Sequence, residues 1–144
     1  AVSLGVDREA IRRLAFAGRA AAIWQPTSPG NRLWFDAKLA RPRGSLEEAK
    51  ALLGRAGFRW DGKGMLLGPG GEAVEFTVAV NAANAQHTRM AAILEQDLRR
   101  LGIRIQVTPL EFRSLVGRVM NRKNYEAAIL AMAPGDADPG SEMN

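Results

Sequence analysis

The sequence predicts an α/β fold, on three observations. Glu75-Phe76-Thr77-Val78-Ala79-Val80-Asn81 is a short β-branched run, Met90 to Leu101 carries a helical apolar stripe closed by Gly102, and Ile103-Arg104-Ile105-Gln106-Val107 alternates with period two. A second amphipathic stretch then leads to Tyr125-Glu126-Ala127-Ala128-Ile129-Leu130-Ala131. That β-α-β-α-β order calls for parallel strands joined by right-handed helical crossovers.

The elements before this unit follow from local chemistry. Asp7 is a good N-cap for a helix through about Arg19, with Ile11, Leu14 and Ala15 on one face and Gly18 near its end. A long irregular segment runs from Gln25-Pro26-Thr27-Ser28-Pro29-Gly30-Asn31 to Pro42-Arg43-Gly44. Irregular segments of this length are usually functional or pack against something else. Trp24, Trp34 and Phe35 lie in or beside it, and either pin it to the core or give it a ligand-facing or interdomain surface; pinning is the simpler expectation. Ser45-Leu46-Glu47-Glu48 is a capping box that opens a helix with Leu46, Ala49, Leu52, Leu53 and Ala56 inward, stopped by Gly57. Phe58 and Trp60 lead into two turn clusters, Asp61-Gly62-Lys63-Gly64 and Gly68-Pro69-Gly70-Gly71, around Met65-Leu66-Leu67, which reads as a hairpin.

At 144 residues one domain is expected, large enough to bury a core without metals or disulfides. There is no cysteine, which removes disulfides, thiol nucleophiles and thiolate metal sites. No apolar run approaches the roughly 20 residues needed to cross a bilayer. The formal charge of +5 is concentrated: residues 1–43 hold eight basic side chains against three acidic, and the other 101 balance at twelve against twelve. That basic segment lacks the aromatic interleaving of RNA-binding sheets and any marked recognition helix, so it reads as a solvated or interface face with no nucleic-acid partner.

Catalytic constellations are missing. The glycine clusters lie between two extended pieces and not between a strand and a helix, which excludes a phosphate cradle. His87, the only histidine, lacks a sequence-evident partner and reads as a solvated or capping residue. Neither a Gly-x-Ser-x-Gly elbow nor a His/Asp/Glu cluster with metal-ligand spacing is present, so no enzyme, cofactor or metal site is expected. Asn81 and Asn84 are placed at the carboxyl end of the first parallel strand, where open α/β sheets bind ligands; Asx-turn chemistry at a helix start is the competing reading.

A family resemblance runs through the chain in order. Ala1-Val2-Ser3-Leu4-Gly5-Val6-Asp7-Arg8-Glu9-Ala10-Ile11 resembles the "ALSLAIDREAI" junction of peptide/nickel-type extracellular solute-binding proteins, the family 5 receptors of ABC transporters. Pro26-Thr27-Ser28-Pro29-Gly30 is similar to the family's "P..PG" loop, and Glu48 to Phe58 to its "EKAKALLAEAGF". The Gly-rich hairpin and "EFTVAVN" follow, then Leu98 to Ile105, similar to "LKKIGIKV", and Tyr125 to Leu130, similar to "YDAALLGW". The resemblance implies a periplasmic-binding-protein-like lobe of type II, with the β-α-β-α-β unit preceded by N-terminal helices and a hairpin. It further implies the C-terminal lobe of a two-lobed receptor, 1–144 being a single lobe excised from a longer chain. Such a receptor is a monomer without a cofactor. It captures a peptide or similar solute in the periplasm or at the cell surface and delivers it to an ABC permease. A solute-sensing domain of a transcriptional regulator is the alternative.

Peptide-binding members read Trp-x-x-Asp-x-x-Asp/Glu-Pro after the last strand, the first Asp pairing with the peptide ammonium. Anchoring on Asp138-Pro139 puts Met132 at the Trp and Gly135 at that Asp, a departure at both positions that Asp136 offsets with a small loop shift. The resemblance thus makes Asp136 the first candidate ligand anchor, with Asp138 and Met132 beside it and Asn81 and Asn84 next.

Overall fold

The computed structural model describes residues 1–25, 27–39 and 44–131. The described chain orders as α1 (Val2–Gly5), α2 (Arg8–Phe16), α3 (Leu46–Arg55), β1 (Arg59–Trp60), β2 (Leu66–Leu67), β3 (Glu75–Asn81), α4 (Ala85–Arg100), β4 (Arg104–Leu110), α5 (Phe112–Val116) and β5 (Ala127–Ile129). A π-helical turn, Gly117–Asn121, prolongs α5.

Strands β4, β3 and β5 form a parallel sheet in that order, with Glu75 opposite Arg104 and Val78 opposite Ala127. The expected β-α-β-α-β unit is therefore present. Pleating sends alternate residues to opposite faces. Val78, Val80, Ile105 and Ile129 join Ala91, Leu98 and Leu101 of the α4 side in the main core, while Ala79 turns to the other face and packs with Leu115 and Val119. Arg104 N donates to Val74 O and Leu110 O accepts from Ala82 N, so the even-numbered residues of β4 bond toward β3. Pro109 falls on the outward register of this edge strand, where its missing N–H removes no bond of the β3 ladder.

Helix ends carry the fold's joints. Asp7 Oδ1 caps α2 by accepting from Ala10 N at 2.9 Å. The helix ends at Phe16 and not near Arg19, because Ala17 and Gly18 both turn left-handed, at φ 50° and 78°. Leu14, expected inward, is 58% exposed, whereas Ala15 is buried. The Ser45 box is half formed. Ser45 Oγ accepts from Glu48 N at 3.1 Å, but Ser45 N donates to Leu4 O, so the bond that Glu48 would have made ties α3 to α1. Ala56 is the exposed C-cap of α3 and not an inward residue. After both α3 and α4 the chain closes in a Schellman motif: Phe58 N donates to Leu53 O, Ile103 N to Leu98 O, with Gly57 and Gly102 at positive φ.

The hairpin is as expected, β1 antiparallel to β2, and it docks on the end of α4. Trp60 Nε1 donates to Leu101 O at 2.8 Å and Leu66 N to Gly102 O at 2.8 Å. Trp24 and Phe35 are half-buried, but Trp34 is 53% exposed, so the long loop is not pinned by all three aromatics.

A buried carboxylate fixes α2 against α4. Asp97 is 5% exposed, and its Oδ2 accepts from Asp7 N at 2.8 Å, at the head of α2. Asp97→Ala leaves that N–H without its partner, which costs about 1–3 kcal/mol. A thermal melt at neutral pH checks it, and an unchanged midpoint would refute the joint.

Candidate functional site

The carboxyl edge of the sheet is where β3, β4 and β5 hand over to loops, and it is the edge at which ligands bind open α/β sheets. Asn81 ends β3 and Asn84 caps α4. Asn81 Oδ1 accepts from Ala83 N at 3.1 Å and its backbone carbonyl accepts from Asn84 N at 3.1 Å. Asn84 Oδ1 accepts from Gln86 N at 2.9 Å and His87 N at 3.1 Å. Turn and cap chemistry is therefore real at both positions. It also orients them: with each side-chain oxygen held by backbone donors, each Nδ2 is left as a free donor among the described residues.

Asn84 also covers part of the helix start. Asn84 takes two of the leading N–H groups of α4 through its side chain and a third, from Thr88, through its carbonyl. His87 turns out buried, at 8% exposed, and not solvated; its Nδ1 has no hydrogen-bond partner among the described residues. It continues the inward stripe of α4 one turn before Ala91, so its ring is packing against the sheet side of the helix. No group of three or more His, Asp or Glu side chains suited to a metal ion occurs among the described residues.

Phe112 completes the edge. It stands two residues past the end of β4, is 53% exposed, and follows Glu111, whose side chain caps α5 by accepting from Ser114 N at 3.1 Å. The sequence offered no specific signal for it beyond an aromatic residue just after a strand. Met132, Asp136 and Asp138 lie outside the described residues.

Two hollows occur away from this edge. One of about 680 Å³ runs beside the start of β4, between Lys63–Met65, Arg99 and Arg104, and one of about 390 Å³ lies at the α1–α2 junction. Salt bridges Arg104–Glu75 (3.4 Å) and Arg99–Glu95 (2.6 Å) neutralise much of the first, which sits at the amino end of the strands. Among the described residues, the carboxyl edge lines neither hollow.

One polar clamp holds the last strand. Glu126 accepts from Thr77 N at 2.8 Å and Thr77 Oγ1 at 2.7 Å, extending by a side chain the β3–β5 pairing that begins at Val78. These donors, the hydroxyl first and the backbone N–H second, hold its carboxyl below the usual glutamate range. A lowered folded-state pKa means stabilisation present above the unfolded value and lost as pH falls through the folded one. Melts of Glu126→Gln between pH 7 and pH 3 should show a shallower acid decline than the parent sequence; equal slopes would remove the clamp from the acid response.

Residues 1–144 match the model of the bacterial extracellular solute-binding proteins, family 5 Middle. The chain belongs to that family. A probable ABC transporter-binding protein of Deinococcus radiodurans is 24% identical to this family 5 chain over 141 residues, 94% of the chain and 24% of the relative. The oligopeptide-binding protein AppA of Bacillus subtilis, solved in complex with a nonapeptide, superimposes with a TM-score of 0.82 at 23% identity, over 90% of the chain and 26% of AppA. NikZ of Campylobacter jejuni, solved with Ni(L-His), gives 0.76 at 19% identity, over 90% of the chain and 24% of NikZ. These likenesses give the fold, a periplasmic-binding-protein-like lobe of type II. This family 5 chain spans about a quarter of the length of the relatives it matches.

Proposed function

We propose that this chain is one lobe of a two-lobed receptor, and that its sheet edge is one wall of a cleft closing on a peptide or similarly sized solute. The reading is carried by the carboxyl edge, where Asn81 and Asn84 keep free amide donors at the end of β3 and Phe112 stands exposed just past the end of the neighbouring β4. Two oriented N–H donors and one flat apolar surface suit a ligand built of carbonyls and side chains, as a peptide is. The relatives whose fold it shares were solved with a nonapeptide and with a nickel–histidine complex. Closure supplies affinity by excluding water from these contacts, with no covalent step. The receptor works as a monomer outside the membrane and passes its ligand to an ABC permease. Two of the relatives named above are binding proteins by name, and the third was solved with Ni(L-His), which favours this reading over a regulator.

The test is a thermal-shift screen of the full-length parent against di- and oligopeptides, nickel–histidine complexes and opines. A saturating ligand at a hundred times its Kd adds about 2.7 kcal/mol to stability, which a melt resolves easily. Asn81→Ala should weaken the responding ligand about tenfold, one oriented hydrogen bond to a polar group. A parent that responds to no member of the screen would overturn the reading.

A further inference from the structure

We propose that the loop spanning residues 23–39 is a docking knob for the rest of the same polypeptide, with Leu33 and Trp34 as its apolar centre; the inference rests on the one-lobe reading above. Four of the large hydrophobic side chains left exposed lie here: Ile23 (44%), Leu33 (82%), Trp34 (53%) and Leu39 (46%). The loop is nevertheless built. Gln25 Nε2 donates to Asp36 O and Asp36 N to Gln25 Oε1, both at 3.1 Å, a two-bond clasp between its limbs. Within it, Asn31 N donates to Ser28 O, and Phe35 N to Asn31 O, each at 3.0 Å. Beyond the clasp Lys38 N donates to Asp36 Oδ1 at 2.8 Å.

A loop tied by these internal hydrogen bonds while Leu33 and Trp34 stay exposed presents those side chains at small entropic cost, as a docking anchor does. Apolar side chains concentrated this way on a monomeric lobe mark an interaction surface. The occupant follows from length: relatives of this fold carry about three further chain-lengths of polypeptide, since this chain covers only 24% of the Deinococcus protein. The basic excess of the chain lies in residues 1–43, and Arg32 and Lys38 flank the apolar pair in sequence, so the seat should carry acidic groups at its border.

The experiment is thiol labelling in the full-length parent. Leu33→Cys and, as control on the exposed face of α3, Lys50→Cys are each labelled with a maleimide in native buffer and in urea, and the modified position is read by mass spectrometry. Docking predicts native protection of Leu33→Cys by at least about tenfold over the control, with and without ligand. Labelling of Leu33→Cys as fast as the control overturns the proposal. Protection that disappears on dilution also overturns it, since it assigns the seat to a second copy. Should the variant not fold, hydrogen exchange of amides 31–35 in the unaltered parent decides: exchange at random-coil rates refutes docking. Failure of the ligand screen with protection retained would sink the receptor reading and leave the knob intact.

Discussion

Gly102→Ala should lower the stability of this chain by about 3 kcal/mol or more, seen as a melting point about 10 °C lower. Two independent costs meet at this position. Its φ of +83° is a conformation in which an added Cβ costs about 1–2 kcal/mol. The Cβ would also overlap Gly64 O and stand 2.7 Å from Leu66 N, backbone atoms of the hairpin that cannot swing aside as a side chain would. Relief requires the hairpin to lift, which breaks Leu66 N to Gly102 O and strains Trp60 Nε1 to Leu101 O. Gly71→Ala separates the two costs: its φ is +92°, but nothing lies within 4 Å of the added carbon. It should lose only about 1 kcal/mol. Equal losses in the two variants would show that the close approach of hairpin and helix end contributes nothing.

Gly102 also marks how far the sequence could be read. That a glycine ends α4 is legible, because an apolar stripe stops there and a period-two run begins. That the same glycine is the seat of a hairpin forty residues earlier in the chain is not, since local pattern carries no information about which loop comes to rest on it. The strand at Glu75–Asn81 was legible residue for residue, being bounded by turn formers on both sides. Leu14 was misplaced, because helical periodicity names a face but not whether anything covers it: Ala15 is buried and Leu14 is left exposed. The capping box failed by half for a tertiary reason: Leu4 O reaches Ser45 N in place of Glu48.

At the candidate site, position was legible and availability was not. Asn81 and Asn84 sit where a strand gives way to a helix, as the apolar pattern around them requires. Turn chemistry and ligand contact looked like rival explanations for them in the sequence. In three dimensions they are compatible, because backbone donors engage only the side-chain oxygens. His87 was expected to be a solvated or capping residue and is buried, since its place one turn ahead of Ala91 puts it on the packed stripe of α4.

On the one-lobe reading proposed above, residues 1–144 alone should bind the full-length receptor's ligand at least about a thousandfold more weakly. A receptor that holds its ligand at micromolar Kd has about −8 kcal/mol of binding free energy; keeping half of it leaves about −4 kcal/mol, a millimolar Kd. The loss exceeds the missing contacts alone. Among the described residues Asn81 and Asn84 are only half-buried and Phe112 is exposed, so hydrogen bonds to a ligand here compete with water, whereas between two lobes the same bonds would act at lower dielectric. Calorimetric titration of parent and lobe with the same peptide measures the ratio, with a cooperative melt of the lobe as the control for folding. A folded lobe that retains the parent's affinity would mean that this wall alone is the site, and the two-lobed cleft would have to be given up.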